Sequence, residues 1–589
     1  MSIKTYYQNF YKPQVILLIF FLLLGCYFRF ANLNSKIFWV DEISTTVRVS
    51  GYTIPEVSQS LQQQDILSFD DLLAYQVQSR DRTFGDTWSA LTKSPEHAPL
   101  YFVLTRIWVQ LWGSSIAVMR SLSVAISLLV FPALYWLCQE LFARPSISRM
   151  AVILMSVSPF YVAYAQEARP YSLWTVTILL MSASLIRAIR LNTLPAWLLY
   201  SFCLVLGLYT SLFSVYLAAF QGIYLLLISI KNKFKIIRNY LLSSLLSLLL
   251  FSPWIIIIIN HIDLLQKNTE WMRGNFNIAE IIAVFIGTVL LIFGDLPIAQ
   301  DSDPVKIVMV LIFMVIAILA GLKGSYLKTK PILFGLLLTF SSSIFLILNY
   351  QDLDLVGIIG AVVALGILTL SSYSLYYLIS NANRDCEASQ RHRWLYILCL
   401  MLSLPLPLLV IDIINQGQGS TAPRYLIPLQ LGIQIAVAYT LINKLAIHKK
   451  QKFWQTVIIS FLILGIFSCT RNLNLSPFYQ KGRNINNPAI AKIINRSNSP
   501  LVVIEADEAM DALSLAYSLS PQTKYKIINR DRDITEYSDR FTDIFILRPS
   551  VALQTQLQTK PDIKLKQVYK SHLFSADEIP LNLWSIDKF

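Results

Sequence analysis

The chain has 589 residues, of which 55% are hydrophobic and only 14% are charged, and its mean hydropathy is +0.54. Soluble globular domains carry about 25% charged residues, so this composition excludes an ordinary soluble enzyme. Apolar runs of about 20 residues recur along most of the chain, and this is the length that a helix needs to cross a bilayer. The sequence therefore predicts a polytopic α-helical membrane protein.

The net charge is +14, with 49 Lys and Arg against 35 Asp and Glu. The basic residues lie between apolar runs and not on one soluble segment, so we expect no nucleic-acid partner. The six cysteines form no CxxC pair and most of them fall inside apolar runs. We therefore expect neither a disulfide framework nor a zinc site.

The first apolar run, at about 14–34, follows Lys4 and Lys12 and has no small-residue cleavage site, so it predicts an uncleaved first span. Further apolar runs lie at about 98–113, 117–143, 150–165, 171–190, 196–230, 238–260, 279–295, 304–323, 331–349, 354–380, 394–413, 424–445 and 453–470. The run at 196–230 is long enough to form a hairpin of two helices. If 98–113 and 279–295 lie at the membrane surface, thirteen crossings remain.

The short loops between these runs differ in charge. Twenty Lys and Arg residues fall on one side of the predicted membrane and five fall on the other. In membrane proteins the basic short loops are those on the cytoplasmic side. We therefore expect the loops at 35–116, 166–170 and 415–424, together with everything after Arg471, to lie outside the cytoplasm.

The composition changes after Arg471. The segments 501–506, 524–529 and 543–548 predict strands, and the segments 511–519 and 533–541 predict helices between them. The sequence thus predicts a membrane domain over 1–470, with surface helices in the loop 35–116, and a small extracytoplasmic α/β domain over 471–589. We expect this tail to be accessory, because no nucleotide-binding glycine motif follows its first strand.

Two acidic residues follow the first span within a few residues, Asp41 and Glu42 in WVDEIS. Charges near the edge of the hydrocarbon are costly, so a group of them on one side indicates a functional cleft. Adjacent side chains point in different directions on a helix or a strand, so one acid can act as a base while the other is structural. The alternative is that both are interfacial charges at a helix end.

Other candidate residues lie at the same predicted rim. They are His97 and Tyr101 in EHAPLYF, Arg120 in VMRSLS, Glu167 and Arg169 in QEARPYSL, and Arg424 and Tyr425 in TAPRYLIP. Arg424 suits a phosphate, because the planar guanidinium can bind two oxygens at once. The alternatives are a turn residue for His97 and contact with lipid headgroups for Arg120.

The order of these motifs resembles the glycosyltransferase family 39 group, whose relatives include the protein O-mannosyltransferases and the lipid A aminoarabinose transferases. The shared features are an Asp-Glu pair after the first span, then HAPLYF, an Arg before the next span, QEARPYSL and a late RYLIP. The resemblance covers about residues 25–230 and 415–430. One departure is His97-Ala98-Pro99, where the family commonly has His-Pro-Pro.

The resemblance implies the C-type membrane glycosyltransferase fold and a transferase of the bacterial cell membrane. Such an enzyme moves a sugar from a polyprenyl-phosphate donor to a hydroxyl of a glycan, lipid or protein at the extracytoplasmic face, with inversion and without a metal or a cofactor. The role of catalytic base carries over to Asp41, with Glu42 and Glu167 as supporting acids. We expect donor contacts from Arg424, Tyr425, Arg169, Arg120, His97 and Tyr101.

The sequence also allows other classes of protein. A transporter or flippase for a lipid-linked or anionic substrate would have ionisable residues in mid-span and discontinuous helices repeated in two halves. The charges here cluster at one rim, and no repeat is visible. A membrane scaffold with a partner-binding tail, and a glycan polymerase or ligase with a lipid-linked donor, are further alternatives.

Overall fold

The computed structural model describes residues 3–228, 232–295, 355–381, 392–474, 484–529, 540–560, 563–571 and 582–588. Seven helices in these ranges are long and apolar enough to cross a membrane, or eight if one bent pair is counted as a single span. The chain is thus a polytopic helical membrane protein. The thirteen predicted crossings are not reached within these ranges, and the predicted spans 304–323 and 331–349 lie outside them.

The helices are numbered in chain order. Up to residue 295 they are α1 (Ile3–Phe30), α2 (Val40–Val49), α3 (Ile54–Gln63), α4 (Phe69–Leu73), α5 (Phe84–Thr92), α6 (Leu100–Trp112), α7 (Ile116–Leu128), α8 (Val130–Phe142), α9 (Pro145–Ser156), α10 (Pro159–Ala165), α11 (Tyr171–Leu191), α12 (Leu194–Thr210), α13 (Ser214–Leu227), α14 (Lys233–Asn260), α15 (Ile262–Asn268) and α16 (Ile278–Leu291). The later helices are α17 (Leu355–Asn381), α18 (Arg393–Leu402), α19 (Pro405–Asn415), α20 (Ile427–Leu445), α21 (Gln451–Asn472), α22 (Asn487–Ile494), α23 (Ala509–Ala516) and α24 (Val551–Gln558).

Two spans are far more buried than the others. Of their apolar windows, 78% is buried in Tyr171–Leu191 and 83% in Pro423–Leu445, against 22% in Lys233–Asn260. These two helices therefore run through the centre of the membrane part, while α14 lies at its lipid-facing edge. Each central span begins at one of the short loops that the sequence placed at the outer rim, so the fold brings these two loops to the middle of the molecule.

The predicted run 150–165 is not one straight helix. It consists of α9 and α10, which meet at an angle of 63° around residues 157–158. Pro159 opens α10, and the carbonyls left free at the end of α9 accept hydrogen bonds from the guanidinium of Arg29, at 3.0 Å for Ser156 and 3.1 Å for Met155. A break at membrane depth is tolerated where its backbone groups are satisfied in this way.

Three other predicted runs are short helices in the structure. The runs 98–113 and 279–295 contain α6 and α16, of 13 and 14 residues, which are shorter than the roughly 20 residues of a perpendicular span. The run 196–230 contains two helices, α12 and α13, as a hairpin requires.

The tail contains a mixed five-stranded sheet of order β2-β1-β3-β5-β4. Its strands are β1 (Pro500–Glu505), β2 (Lys524–Ile528), β3 (Asp543–Leu547), β4 (Ile563–Tyr569) and β5 (Leu583–Lys588). β1 is parallel to both β2 and β3, whereas β5 is antiparallel to β3 and β4. The first three strands lie where the sequence predicts them. The predicted helix 533–541 is outside the described residues apart from its last two positions.

The sheet packs directly on the first outer loop. Val47, Val57 and Leu61 of the loop share one hydrophobic core with Val502 and Leu513 of the tail. Leu67 also forms a two-bond antiparallel bridge with Tyr525, at 2.9 Å for each bond, so the loop covers the edge of β2. The loop and the tail therefore form one layer, and the tail is not a unit held only by a linker.

Candidate active site

Asp41 and Glu42 occupy the first turn of α2, next to each other but in opposite surroundings. Carboxylates are favoured in a first turn because they face the positive end of the helix dipole. The side chain of Asp41 is 28% exposed, whereas that of Glu42 is fully buried. The two adjacent acids thus have different environments, as the sequence predicts: Asp41 is accessible and Glu42 is enclosed.

Glu42 is enclosed by Arg120 of α7. The two oxygens of Glu42 accept from Nε and Nη2 of Arg120 at 2.8 and 2.7 Å, and the backbone N–H of Ala168 donates to the same carboxylate at 2.9 Å. The other N–H groups of Arg120 donate to the carbonyls of Leu33, Lys36 and Ile37. All five N–H groups are thus used inside the fold, and none is left for the donor phosphate expected from the sequence.

Arg169 connects the loop 166–170 to α2. Its Nη2 lies 3.7 Å from Oδ2 of Asp41, and its Nη1 donates to Oγ1 of Thr45 at 3.1 Å. Burial disfavours the charged guanidinium, but the Asp41 carboxylate and the Tyr171 hydroxyl together outweigh this and raise the pKa of Arg169, so the side chain is a permanent cation. Its Nε is buried and has no hydrogen-bond partner among the described residues.

Glu167 and Gln166 belong to the same short loop but face the protein interior. Glu167 is 1% exposed and lies close to Tyr164. The Nε2 of Gln166 donates to the carbonyls of Phe28 and Ala31 at the end of α1, at 2.9 and 2.8 Å. These contacts fix the loop to the end of the first span, a short distance before Asp41.

Arg424 and Tyr425 lie in the turn Pro423–Leu426 that leads into α20. The guanidinium of Arg424 lies 5.7 Å from the ring centroid of Trp271 and 5.2 Å from that of Tyr425, within the range of cation–π contacts. Its Nε also has no hydrogen-bond partner in the described parts of the chain. Arg424 is in electrostatic range of Asp41 and Tyr171, so the late loop reaches the same place as α2 and the loop 166–170.

The loop before Arg424 is built on a buried carboxylate. Asp412, which is 1% exposed, accepts from the backbone N–H groups of Gly419 and Ser420 at 2.8 and 2.7 Å. Gln418 joins this loop to the turn Glu270–Met272, because its N–H donates to the carbonyl of Met272 at 3.0 Å. The loop and the turn that carries Trp271 therefore hold each other in place.

His97 and Glu96 line the same site. Nε2 of His97 lies 3.5 Å from Glu96, whose other neighbours are Arg48 at 3.8 Å and the amide of Asn268 at 3.0 Å. Loss of water, with Arg48 and Arg169 nearby, lowers the pKa of His97 well below 6.5, so the ring is neutral at pH 7. Glu96 belongs to the motif EHAPLYF, but the sequence does not single it out, since a single acid before a histidine has no distinctive spacing.

A cleft lies between these elements. It is lined by Glu96, His97, Ala98, Phe102, Arg169, Pro170, Tyr171, Trp174, Thr210, Ser211, Phe213 and Tyr425. Aromatic rings form much of the wall, and charged or neutral polar groups lie at its rim. Tyr101 does not line the cleft; it is buried, and its hydroxyl is 2.7 Å from that of Ser123.

Among the residues that the structure describes, no three His, Cys, Asp or Glu side chains are close enough together to bind a metal ion. Glu96 and His97 are a pair only. The site offers a carboxylate, guanidinium groups and aromatic rings.

The chain is similar to one known protein family and to several solved structures. Residues 96–257 match the family model of dolichyl-phosphate-mannose-protein mannosyltransferases. Similar solved structures include ArnT from Cupriavidus metallidurans bound to undecaprenyl phosphate, at 12% identity and a TM-score of 0.38 over 98% of each chain. Another is the oligosaccharyltransferase AglB from Archaeoglobus fulgidus in complex with an inhibitory peptide and a dolichol-phosphate, at 11% identity and a TM-score of 0.43, over 89% of this chain and 65% of that one. None of the curated proteins compared with the chain is a match.

The family match covers residues 96–257 and shows that this segment is similar to dolichyl-phosphate-mannose-protein mannosyltransferases. It confirms the resemblance to the glycosyltransferase family 39 group, over a segment that includes His97, Arg120 and Arg169. Asp41 and Arg424 lie outside the matched segment, so their roles are argued from geometry alone.

Proposed function

We propose that the protein transfers a sugar from a polyprenyl-phosphate donor to a hydroxyl acceptor, with inversion, in the cleft beside Asp41. The observation that carries this proposal is the meeting of two guanidinium groups around one accessible carboxylate. Arg169 and Arg424 come from loops about 250 residues apart, and each has a buried Nε without a hydrogen-bond partner in the described residues. Two such donors suit a phosphate, whose oxygens accept several charge-assisted hydrogen bonds.

In this reaction Asp41 accepts the proton of the acceptor hydroxyl while the hydroxyl oxygen bonds to the anomeric carbon. The bond between that carbon and the phosphate oxygen breaks, and the electron pair leaves with the polyprenyl phosphate. A positioned base contributes about 10²- to 10⁴-fold to such a step. Arg169 and Arg424 stabilise the charge that develops on the leaving phosphate, which favours the transition state over the bound donor.

Other residues at the site have supporting roles. Trp174, Phe213 and Tyr425 offer flat apolar faces against which a sugar ring can pack in the cleft. His97 is neutral and can donate or accept one hydrogen bond at the rim. Glu42 and Arg120 hold α2 against the loop 166–170 and do not contact the substrate. We place the reaction at the extracytoplasmic face on the basis of the loop charges, and in a bacterial cell membrane on the basis of the resemblance to the glycosyltransferase family 39 group.

One observation favours the alternative of a transporter or flippase, namely the broken helix pair α9 and α10. Broken helices in transporters expose backbone groups that bind the substrate. Here the carbonyls at the end of α9 are bonded to Arg29, which accounts for the break without a substrate.

The test compares lipid-linked and surface glycans from cells with and without the gene by mass spectrometry. Loss of the gene is expected to increase one polyprenyl-phosphate sugar and to remove that sugar from an acceptor. The purified protein in detergent is then mixed with that donor and acceptor. A transferase releases free polyprenyl phosphate although no membrane is left to cross, whereas a transporter leaves the donor intact. Intact donor together with unchanged glycans would refute the proposal.

A further inference from the structure

The helix that carries Asp41 begins without a local cap. The residue before it, Trp39, has an extended backbone and no side-chain hydrogen bond to the first turn. The first N–H groups of any helix lack partners within the helix, and side chains such as Asn, Asp, Ser or Thr normally supply them. The start of α2 therefore needs an acceptor from elsewhere in the protein.

The tail supplies that acceptor. Oδ1 of Asn484 accepts from the backbone N–H of Val40 at 2.9 Å, across 444 residues of sequence. Val40 is the residue immediately before Asp41. Asn484 is fully buried, and its Nδ2 donates to Oδ1 of Asp511 at 3.0 Å, which fixes the orientation of the amide.

A second contact holds the preceding residues. Oγ of Ser514 donates to the carbonyl of Phe38 at 2.7 Å, and Nδ2 of Asn487 donates to Oγ of Ser514 at 3.0 Å. Asn487 and Ser514 are both buried. The ring of Phe38 also packs edge-on against Tyr517 at 5.4 Å. The backbone from 38 to 40 is thus fixed from the tail side by two buried polar contacts.

We infer that Asn484 and Ser514 are positioning residues for Asp41. The tail then forms part of the catalytic apparatus, because it supplies the cap of α2 from a distant part of the same chain. This inference rests on the proposed function for the role of Asp41. It argues against the expectation that the tail is accessory, because the hydrogen bonds end one residue before the proposed base. Small displacements of a reacting group lower rates by up to about 10²-fold.

The test uses the full-length protein with Asn484→Ala. We expect kcat for sugar transfer to fall about 10- to 100-fold while KM for the donor stays within about twofold, because Asp41 acts on the acceptor proton and not in donor binding. The matched control is Asn486→Ala. Asn486 is also buried, but its side chain bonds to Ser571 and Tyr569 inside the tail, and none of its hydrogen bonds among the described residues goes to α2.

A charge-preserving exchange provides the rescue. In the double variant Asn484→Asp and Asp511→Asn, the carboxylate at 484 can accept from Val40 and the amide at 511 can donate back to it. We expect this variant to recover most of kcat, whereas Asn484→Asp alone places two carboxylates together and does not. In an Asp41→Asn background, Asn484→Ala is expected to cause no further loss, since its effect passes through Asp41.

Hydrogen–deuterium exchange gives a readout that does not depend on activity. Asn484→Ala is expected to increase exchange in peptides covering 38–49, and Asn486→Ala is not. Equal losses of kcat in Asn484→Ala and Asn486→Ala, or unchanged exchange at 38–49, would overturn the inference. If the wild-type protein transfers no sugar, the proposed function fails. The exchange experiment then decides by itself whether the tail caps α2: increased exchange at 38–49 in Asn484→Ala supports the cap, and unchanged exchange refutes it.

Discussion

Asp41 and Glu42 differ in what each can do, although they are adjacent. Asp41 is partly exposed beside Arg169, while Glu42 is bonded to Arg120 and Ala168 in the interior. Asp41→Asn keeps the size of the side chain and removes the base, so we expect transfer to fall at least about 10²-fold with normal abundance in the membrane. The measurement is initial rate with the lipid-linked donor.

Glu42→Gln is the matched variant for that experiment. It leaves the buried Arg120 guanidinium without its counter-charge, and breaking a buried ion pair in this way costs about 3–5 kcal/mol. We therefore expect lower thermal stability or abundance, with a smaller loss of transfer per folded molecule. If Glu42→Gln folds normally and is inactive while Asp41→Asn works, the base has been assigned to the wrong carboxylate.

For Arg424 we expect a loss of activity from Arg424→Lys. Lys keeps the charge but offers a point contact in place of the planar fork, and it packs less well on the Trp271 and Tyr425 rings. Transfer should fall about 10-fold or more, mainly through a lower kcat, while the protein still inserts. Unchanged kinetics with the lipid-linked donor would reduce Arg424 to an interfacial anchor.

The neutral state of His97 gives a pH dependence of stability. The folded protein holds the pKa of His97 well below 6.5, so below pH 6.5 the unfolded chain binds a proton that the folded chain does not. The contribution of His97 to stability is therefore complete above about pH 6.5 and is lost as the pH falls below that value. We expect His97→Gln to show a smaller drop in melting temperature between pH 7 and 5. An equal drop in melting temperature in both proteins would contradict a neutral His97 in the folded state.

At the scale of elements, the glycines of the late loop have a packing role that can be tested. A Cβ on Gly417 would lie 2.4 Å from the carbonyl oxygen of Met272, which is backbone and cannot rotate away. Gly417→Ala should therefore separate the loop from the turn Glu270–Met272 and move Arg424. We expect lower transfer and a lower melting temperature. Gly287→Ala in α16 is the control, since a Cβ there meets nothing within 4 Å; a loss in both variants would show a general effect of alanine.

The sequence predicts elements better than it predicts the contacts between them. Apolar length locates most spans, and the alternation of apolar residues locates β1, β2 and β3, because these signals are local. β4 and β5 were missed: β4 is half-buried with Lys564 and Lys566 in it, so its apolar pattern is weak. The sequence predicts one span where the structure has the bent pair α9 and α10, since Arg29, which bonds to the carbonyls at the break, is distant in sequence.

The same limit applies to the site. Asp41, Arg169 and Arg424 were selected from their positions at the ends of apolar runs, and the structure brings them together. Arg120 has the same kind of position in the sequence, yet its contacts with Glu42 span 78 residues and are not visible in any local spacing. The cap from Asn484 spans 444 residues and gives no sequence signal at all.

At the scale of the whole molecule, α11 separates a basic end from the site. Its 21 residues extend about 30 Å, from Tyr171 in the cleft to the last turn. At that far end Arg187 and Arg190 bond to Glu140 of α8, at 3.3 and 2.8 Å. The site and this basic cluster thus lie a membrane thickness apart, which is the arrangement that the loop charges predict for an extracytoplasmic site.

This arrangement predicts the side of the membrane on which the tail lies. The tail and the outer loop share one hydrophobic core, so both must be on the same side as Asp41. A reporter that is active only outside the cytoplasm, fused after Phe589, should therefore be active in a bacterial host. The same reporter inserted between α20 and α21, beside Lys444 and Lys450, should be silent, and a cytoplasm-specific reporter should give the opposite pattern at both places. Activity of the cytoplasm-specific reporter after Phe589 would reverse the predicted orientation of the whole protein. The tail packs on the outer loop, so the loop and the site must lie on the same side of the membrane as the tail.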